Sequence, residues 1–223
     1  MACLMTTLQS DKPSKVHDPR PGSLPLIGGV LCLDFVNTVS GLRDGEHEIE
    51  HLTAYEDLIA WAMHADAFSF SEAQALLARG HADGPGAVRA FHRALALRDT
   101  IHDIFASIAT HDRIPDETME SFNAALAEAL RHARILAEDG HFKWAWDDLS
   151  ARLEAPLWPV LRSAADLLTT GKLDRIKQCP FPHCGWLFVD LSKNKSRRWC
   201  EMSVCGNRTK ARRHYMREKR VGA

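Results

Sequence analysis

Apolar residues recur every three to four positions through most of the first 170 residues, which is the period of helices with one buried face. The longest such segment runs from Pro85 to Thr110, with an apolar stripe of Val88, Phe91, Ala94, Leu95, Ile101, Phe105 and Ile108. Shorter segments predict helices at 30–39, 53–65, 71–80, 117–131 and 156–170. The pattern therefore predicts a mainly α, multihelical N-terminal domain.

Local signals mark several helix starts and one hairpin. Thr53 to Glu56 and Ser71 to Gln74 match the capping box, and Asp116 can cap the helix that follows it. Asp139-Gly140 is a hairpin turn signal between two β-prone runs, Ala133–Leu136 and His141–Trp146. Trp144 and Trp146 fall on the same side of that hairpin. We expect a small β-hairpin whose tryptophans pack against the helices.

Three polar residues occur where apolar residues are expected. Arg98 lies within the stripe of the longest helix, and Asp34 and Asn37 share one face of a short apolar helix. Arg98 either extends outward to water or is buried as a guanidinium, paired with Asp34 or binding an acidic ligand. Both alternatives stay open, and Asp34, Asn37 and Arg98 are the candidate ligand pocket.

Four cysteines near the end of the chain form two pairs, Cys179 with Cys184 and Cys200 with Cys205, each with four residues between its members. Structural Zn²⁺ binds four such thiolates tetrahedrally, whereas catalytic zinc keeps an open position. Disulfides are typical of secreted, cysteine-dense chains, whereas the first residues here lack the basic start of a signal peptide, so we expect none. We therefore predict one structural Zn²⁺ per chain, with His183 as the rival ligand if one cysteine is spared.

The segment between the two pairs predicts how the metal is held. Gly185–Leu191 is β-prone, Ser192–Ser196 has the composition of a turn, and Arg197–Trp199 leads back to the second pair. This order predicts a zinc-bound hairpin in a zinc-ribbon or treble-clef-like module.

Basic residues are concentrated in the same part of the chain. Residues 171–223 contain 14 Lys and Arg against 4 Asp and Glu, whereas the preceding residues contain 14 against 25. The overall net charge of −1 therefore hides an acidic body with a basic module that suits a polyanion. No apolar run approaches the ~20 residues of a membrane span, so we expect no membrane partner.

A proline-free run after Gly206 predicts a basic helix to Arg220, with Ala211 and Tyr215 as its seam toward the zinc hairpin. The alternative is that this basic run is a solvated tail with no binding role. Asn207 or Arg208 could reach base edges. The candidate DNA contacts on the turn and the helix are Lys193, Lys195, Arg197, Arg198, Asn207, Arg208, Lys210, Arg212, Arg213 and Arg217.

These residues carry a family resemblance. Cys205-Gly206-Asn207-Arg208 is the signature of the CGNR zinc-finger family, and Arg197-Arg198-Trp199-Cys200 stands where that family has its preceding element. The chain resembles the family from about Arg175 to Arg217. Leu33-Asp34-Phe35-Val36-Asn37-Thr38 is similar to the opening motif of the ABATE domain, the usual N-terminal companion of this finger. The resemblance implies a bacterial, stress-related transcription regulator whose finger binds double-stranded DNA.

The resulting organisation has three parts: a disordered lead at 1–23, a helical ABATE-like domain at 24–170 and a CGNR-type zinc finger at 171–223. We expect the helical domain to sense a small-molecule effector or to form a homodimer. We expect the protein in the cytoplasm, associated with the nucleoid.

Two other functions remain as alternatives. The finger could bind RNA or a protein partner, with Trp186 and Phe188 as a stacking platform. The run His47-Glu48-Ile49-Glu50-His51 matches the H-E-x-x-H pattern of metal-dependent hydrolases. That chemistry needs both histidines on an established helix, but the next predicted helix begins only at Thr53. No nucleophile–base pair or phosphate loop is found elsewhere, so we predict no enzymatic activity.

Overall fold

The structure is a computed structural model that describes residues 20–41, 48–182 and 184–221. Most of the predicted lead, His47 and the rival ligand His183 lie outside the described residues. The helices are α1 (Leu31–Val36), α2 (Tyr55–His64), α3 (Phe70–Ala82), α4 (Gly84–Thr110), α5 (Asp116–Leu130), α6 (Trp158–Thr170) and α7 (Asn207–Val221). The strands are β1 (Val39–Ser40), β2 (Ile49–Glu50), β3 (Ala133–Glu138), β4 (His141–Trp146), β5 (Ile176–Gln178) and β6 (Leu187–Val189).

The core of the helical domain is built around α4, which contacts α1, α2, α3 and α5. Ile101, Ile104 and Phe105 of α4 are fully buried, as the apolar period of this helix requires. Phe35 of α1 and Trp61 of α2 pack beside them, with their ring centroids 5.0 Å apart. The fold class is therefore the predicted one, mainly helical with small β-hairpins.

Several predicted helix limits were wrong by a few residues. The segment from Val30 is helical only to Val36, because the chain then turns at Asn37 into β1. The carboxylate of Asp57, not Glu56, accepts from the backbone and hydroxyl of Thr53. The second box is centred on Ser69, whose backbone N–H donates to Glu72 at 2.8 Å.

The start of α5 and one position of the long stripe also differ from the prediction. Pro115, rather than Asp116, is the N-cap of α5, and Asp116 lies in its first turn. Val88 of the predicted α4 stripe is exposed, because the buried side of the first turns is formed by Ala87, Ala90 and Phe91 instead.

Strands β3 and β4 form the predicted hairpin. Asp139 and Gly140 both have positive φ, as a two-residue turn of the primed type requires. Trp146 packs against Trp158 of α6, with 5.8 Å between ring centroids. Trp144 lies under the guanidinium of Arg162, 4.3 Å from its ring centroid. Both tryptophans therefore face α6.

The zinc module begins with a hairpin that differs from the predicted one. Strand β6 pairs antiparallel with β5. The pairing continues into the loop, where the N–H of Cys179 donates to the carbonyl of Trp186 at 2.8 Å. The partner strand therefore precedes the first cysteine pair, whereas we predicted a return through Arg197–Trp199. The first cysteine pair thus lies in the hairpin loop.

The zinc module is joined to the helical domain by specific hydrogen bonds. The side chain of Asn37 donates to the carbonyl of Leu187 at 2.8 Å and accepts from its N–H at 2.9 Å. Trp186 donates its indole N–H to the carbonyl of Val39 at 2.8 Å. Gly28 accepts from the N–H of Val189 at 2.8 Å. The segment before and after α1 therefore fixes the position of β6.

Position 28 at this junction has no room for a side chain, so only glycine fits there. A Cβ atom there would lie 2.8 Å from the backbone of Leu33 and Asp34. The N–H of Gly28 donates to the carboxylate of Asp34 at 2.7 Å, so the chain passes tightly between α1 and β6.

Candidate metal centre and nucleic-acid interface

Four cysteine side chains converge on one point at the base of α7. The Sγ atoms of Cys179, Cys184, Cys200 and Cys205 all lie within 4.8 Å of one another. Cys184 and Cys200 are 3.5 Å apart, Cys200 and Cys205 3.5 Å, and Cys205 and Cys184 3.7 Å. Cys179 and Cys184 lie in the β5–β6 loop, Cys205 lies in the π-helical turn Met202–Gly206, and Cys200 lies just before that turn.

This geometry fits a tetrahedral Zn²⁺ site. Thiolates about 2.3 Å from the ion stand about 3.8 Å from each other at tetrahedral corners, close to the observed sulfur separations. Hydrogen bonds from Cys184 lower the pKa of Cys179, and hydrogen bonding to Cys179 raises the pKa of Cys184 and Cys200. Four thiolates this close together would repel one another unless a cation lay among them, and the cluster is the site of one structural zinc ion.

A buried carboxylate shapes the loop between β6 and the second pair. Asp190 accepts from Lys177 Nζ at 2.6 Å and from the N–H groups of Ser192 and Arg197 at 2.9 and 3.0 Å. Burial alone would raise the pKa of Asp190, but the hydrogen bonds from Lys177 and Ser192 outweigh it and hold that pKa below its usual range. Lys177 also donates to the carbonyls of Lys195 and Arg197.

Arg197, a predicted DNA contact, is used within the fold. Its guanidinium lies 4.3 Å from the ring centroid of Phe188 and donates to the carbonyls of Ile27 at 2.9 Å and Cys200 at 2.6 Å. Arginine can provide such forked donation while stacking on an aromatic ring. Arg197 therefore connects the strap before α1, residues 27–29, to the metal loop, and no local pattern in the sequence indicates this role.

Helix α7 starts at the zinc centre and projects from it. The hydroxyl of Thr209 donates to the carbonyl of Cys205 at 2.8 Å, which anchors the first turn. A Cβ atom on Gly206 would lie 3.1 Å from Trp199 Cδ1, so glycine permits the close approach of this turn. From Lys210 to Glu218 every residue is exposed. The cationic side chains of this exposed helix are Lys210, Arg212, Arg213 and Arg217.

The side of α7 that faces the module is not the predicted one. Tyr215 is 57% exposed, and Ala211 is exposed as well. A cleft of about 640 Å³ between the helix and Phe181-Pro182 is lined instead by Thr209, Arg212, Arg213, Met216 and Arg217. The predicted seam of Ala211 and Tyr215 was therefore wrong.

The remaining predicted DNA contacts lie between β6 and the π-helical turn and in the first turn of α7. Lys193 is exposed, Lys195 forms an ion pair with Asp174, and Arg198 lies over the ring of Trp199. Asn207 donates to the carbonyl of Ser203 at 3.1 Å, and Arg208 is half-buried. None of these side chains is fully buried.

The candidate ligand pocket separates into three structural contacts. Arg98 is buried and binds Glu50 through both carboxylate oxygens, at 2.7 and 2.6 Å. Glu50, rather than Asp34, is therefore the anionic partner. Asp34 accepts from Gly28, and Asn37 binds Leu187. These contacts engage the carboxylate of Asp34, the amide of Asn37 and the terminal nitrogens of Arg98 within the fold, and only the Arg98 Nε–H of this set is buried without a hydrogen bond. They supply no argument for a ligand pocket there.

Both alternative sites from the sequence are occupied by packing. Ile49–Glu50 is a strand, Glu50 binds Arg98, and His51 Nε2 lies 2.8 Å from Ser40 Oγ, so the described part of the H-E-x-x-H run is not helical. His47 lies outside the described residues. Phe188 is fully buried and the indole of Trp186 bonds to Val39, so this strand is not an open stacking platform.

Fold and site together define a mainly helical protein with a four-cysteine zinc finger and a projecting basic helix. Residues 29–171 match the ABATE family, described as "Putative stress-induced transcription regulator", and residues 175–218 match the CGNR zinc finger. The chain therefore belongs to the ABATE family and carries a CGNR zinc finger after that domain. A comparison with curated proteins found no match. In the described part of the chain, no helix is long and apolar enough to cross a membrane.

Proposed function

We propose that this protein is a transcription regulator that binds double-stranded DNA through α7 and the loops at its base. The observation that carries the proposal is the exposed, cationic stretch from Lys210 to Glu218, held at one end by a zinc centre. A helix of this diameter fits the major groove of DNA, and its Lys and Arg side chains can neutralise phosphates.

Different parts of the module would have different tasks. The exposed cations Lys210, Arg212, Arg213 and Arg217 are proposed to contact phosphates, which sets position and affinity. Asn207 and Arg208 are proposed to reach base edges, because such side chains recognise adenine and guanine. Lys193, Lys195 and Arg198 would add phosphate contacts beside the helix. Arg197 is left out, because its donors are engaged within the fold.

The family membership supports the regulatory part of the proposal. The helical domain would bind an effector or a second copy of the chain, and the hydrogen bonds between α1 and β6 would transmit its state to the finger.

Selection of bound sequences from random duplex DNA tests the proposal. We expect an enriched motif, competed by the same duplex far better than by single-stranded RNA. Asn207→Ala or Arg208→Ala should alter the enriched bases, whereas Arg113→Ala, on an exposed residue of the helical domain, should not. Equal competition by single-stranded RNA, or no retained duplex at low salt, would contradict the proposal.

A further inference from the structure

A cleft of about 920 Å³ lies between the β3–β4 hairpin and α6. Trp144 and Trp146 line it from the hairpin, Arg162 and Leu167 line it from α6, and Leu149 lies between them. Small-molecule sites in proteins have this size and combine apolar, aromatic walls with a few polar groups. The cleft belongs to none of the contacts that the proposed DNA interface uses.

Arg162 is the polar group of this cleft with unused donors. Its guanidinium is stacked over Trp144, and one amino group lies 3.0 Å from the carboxylate of Asp166. Its Nε–H is buried and has no hydrogen-bond partner among the described residues. Buried donors are nearly always satisfied. The Nε–H of Arg98 is likewise buried without a partner, so it is the position of Arg162 in the wall of the cleft that points to a missing acceptor there. Stacking on the ring leaves the edge of the guanidinium free to bind an anion.

The other charges around the cleft are mostly engaged. Glu72 accepts from the N–H and hydroxyl of Ser69 in the cap of α3, and Lys143 forms an ion pair with Glu138. Asp66 is exposed, where water screens its charge. The combination of two indole rings and one incompletely used guanidinium therefore favours a ligand with an aromatic ring and a carboxylate.

The position of the cleft connects it to the zinc finger. Val30 and Leu31 border it, directly after the strap in which Ile27 and Gly28 accept from Arg197 and Val189. Thr170 and Gly171 border it at the other end, where the chain leaves α6 for β5. Two of the connections between the helical domain and the finger, the strap before α1 and the chain after α6, therefore pass beside the cleft.

We propose that this cleft is an effector site for a small aromatic carboxylate. The aromatic ring of the ligand lies against Trp144 and Trp146. The carboxylate of the ligand accepts from Arg162, either together with Asp166 or in place of Asp166. The regulatory consequence rests on the proposed DNA-binding function, whereas the binding itself does not.

Calorimetric titration of the zinc-loaded full chain tests the site with three probes: 1-naphthoate, the neutral 1-naphthalenemethanol and the cationic 1-naphthylmethylammonium. Naphthoate is expected to bind most tightly. Arg162→Met, which keeps an apolar stem, should weaken it at least tenfold but leave the neutral alcohol nearly unchanged. Trp144→Leu should weaken both ligands, and Arg113→Met, at an exposed arginine away from the cleft, should change neither.

Arg162→Lys provides a second variant, should Arg162→Met fail to fold. Lysine keeps the positive charge but lacks the paired N–H donors of the guanidinium, so we expect this variant to lose most of the naphthoate affinity. Naphthoate that does not bind, binds no more tightly than the alcohol, or binds either Arg162 variant as well as the wild type would overturn the proposal.

Measuring duplex binding in the same preparations separates this proposal from the proposed function. Arg162-dependent naphthoate binding by a protein that binds no duplex would support the cleft and overturn the DNA-binding function. Duplex binding without naphthoate binding would do the reverse. With both present, naphthoate should change duplex affinity and the duplex should change naphthoate affinity by the same factor.

Discussion

Arg98 and Glu50 form the main charged contact inside the helical domain. Only 3% of the Arg98 side chain is exposed, against 33% for Glu50. Arg98 also donates to the hydroxyl of Thr38 at 3.1 Å, so the motif after α1 helps to satisfy it. Removal of one partner of such a pair leaves the other charge buried without compensation.

We therefore expect Glu50→Ala to lower the free energy of unfolding by about 3 kcal/mol, at the lower end of the usual range because Glu50 is partly exposed. Denaturant unfolding of Glu50→Ala, Arg98→Met and the double variant measures the coupling. Asp34→Ala combined with Arg98→Met is the control and should be additive. If the losses of unfolding free energy for Glu50→Ala and Arg98→Met simply add in the double variant, the contact between the two side chains contributes no stability.

Asp34 should make stability depend on pH in the opposite direction from most carboxylates. Burial raises its pKa to about 6 from 3.8, against the hydrogen bond from Gly28. The folded protein thus binds the proton more tightly, and its contribution to stability is present below pH ~4 and lost as the pH rises through 6.

Asp34→Asn keeps an acceptor for Gly28 without the charge. Its stability relative to the wild type should increase between pH 4 and pH 7, by about 2–3 kcal/mol in total. Paired unfolding curves across this range measure the difference, which removes the effect of other carboxylates. A difference that does not change with pH would mean that Asp34 titrates normally.

The sequence was informative about Arg98 but not about its partner. The position of Arg98 within an apolar stripe indicated that its side chain either reaches water or has an anionic partner, and the second alternative is the observed one. Glu50 could not be chosen, because it lies in a polar run whose strand and position depend on pairing with Val39. The apolar neighbours of Asp34, Leu33 and Phe35, are buried in the core, and Asp34 itself accepts from Gly28 instead of Arg98.

At the scale of elements, α1 and β6 depend on the two hydrogen bonds of Asn37. Replacement by alanine leaves the N–H and C=O of buried Leu187 without partners, and each such group costs about 1–3 kcal/mol. We expect Asn37→Ala to lower the melting temperature clearly. Asn123→Ala, at an exposed asparagine of α5, is the matched control. Equal melting temperatures of the two variants would contradict a structural role for this side chain.

Long periodic helices could be predicted from the sequence, whereas short elements could not. The apolar period located α4 to within a residue, because its buried face runs through most of its length. The three-residue strand β5 has no period to detect, so the zinc hairpin was assigned the wrong partner strand. The capping boxes were displaced because several neighbouring residues can accept the same backbone hydrogen bonds.

At the scale of the whole molecule, the zinc centre should stabilise the segments around α1 as well as the finger itself. Asn37, Trp186 and Arg197 connect the metal module to the segments around α1. We expect zinc removal by a chelator to increase amide exchange in α1 and β1, while the interior of α4 stays protected. Cys200→Ala/Cys205→Ala should behave in the same way and hold no zinc. Unchanged exchange in α1 would show that the two parts are energetically independent.

The joint between the two parts could not be foreseen from the sequence. Spacing located all four metal ligands, because a tetrahedral site constrains the cysteines directly. The uses of Asn37 and Arg197 depend on contacts between residues about 150 or more positions apart, for which no local pattern exists. Charge asymmetry indicated a polyanion-binding module but not which cations remain exposed.

The salt dependence of duplex binding tests the central claim most directly. If α7 binds phosphates, affinity should fall steeply with salt, and Arg212→Ala/Arg213→Ala should reduce the log–log slope by about 2 units. Arg113→Ala/Arg131→Ala removes the same charge from the helical domain and should leave the slope unchanged. Equal slopes for the wild type and the α7 double variant would contradict the account.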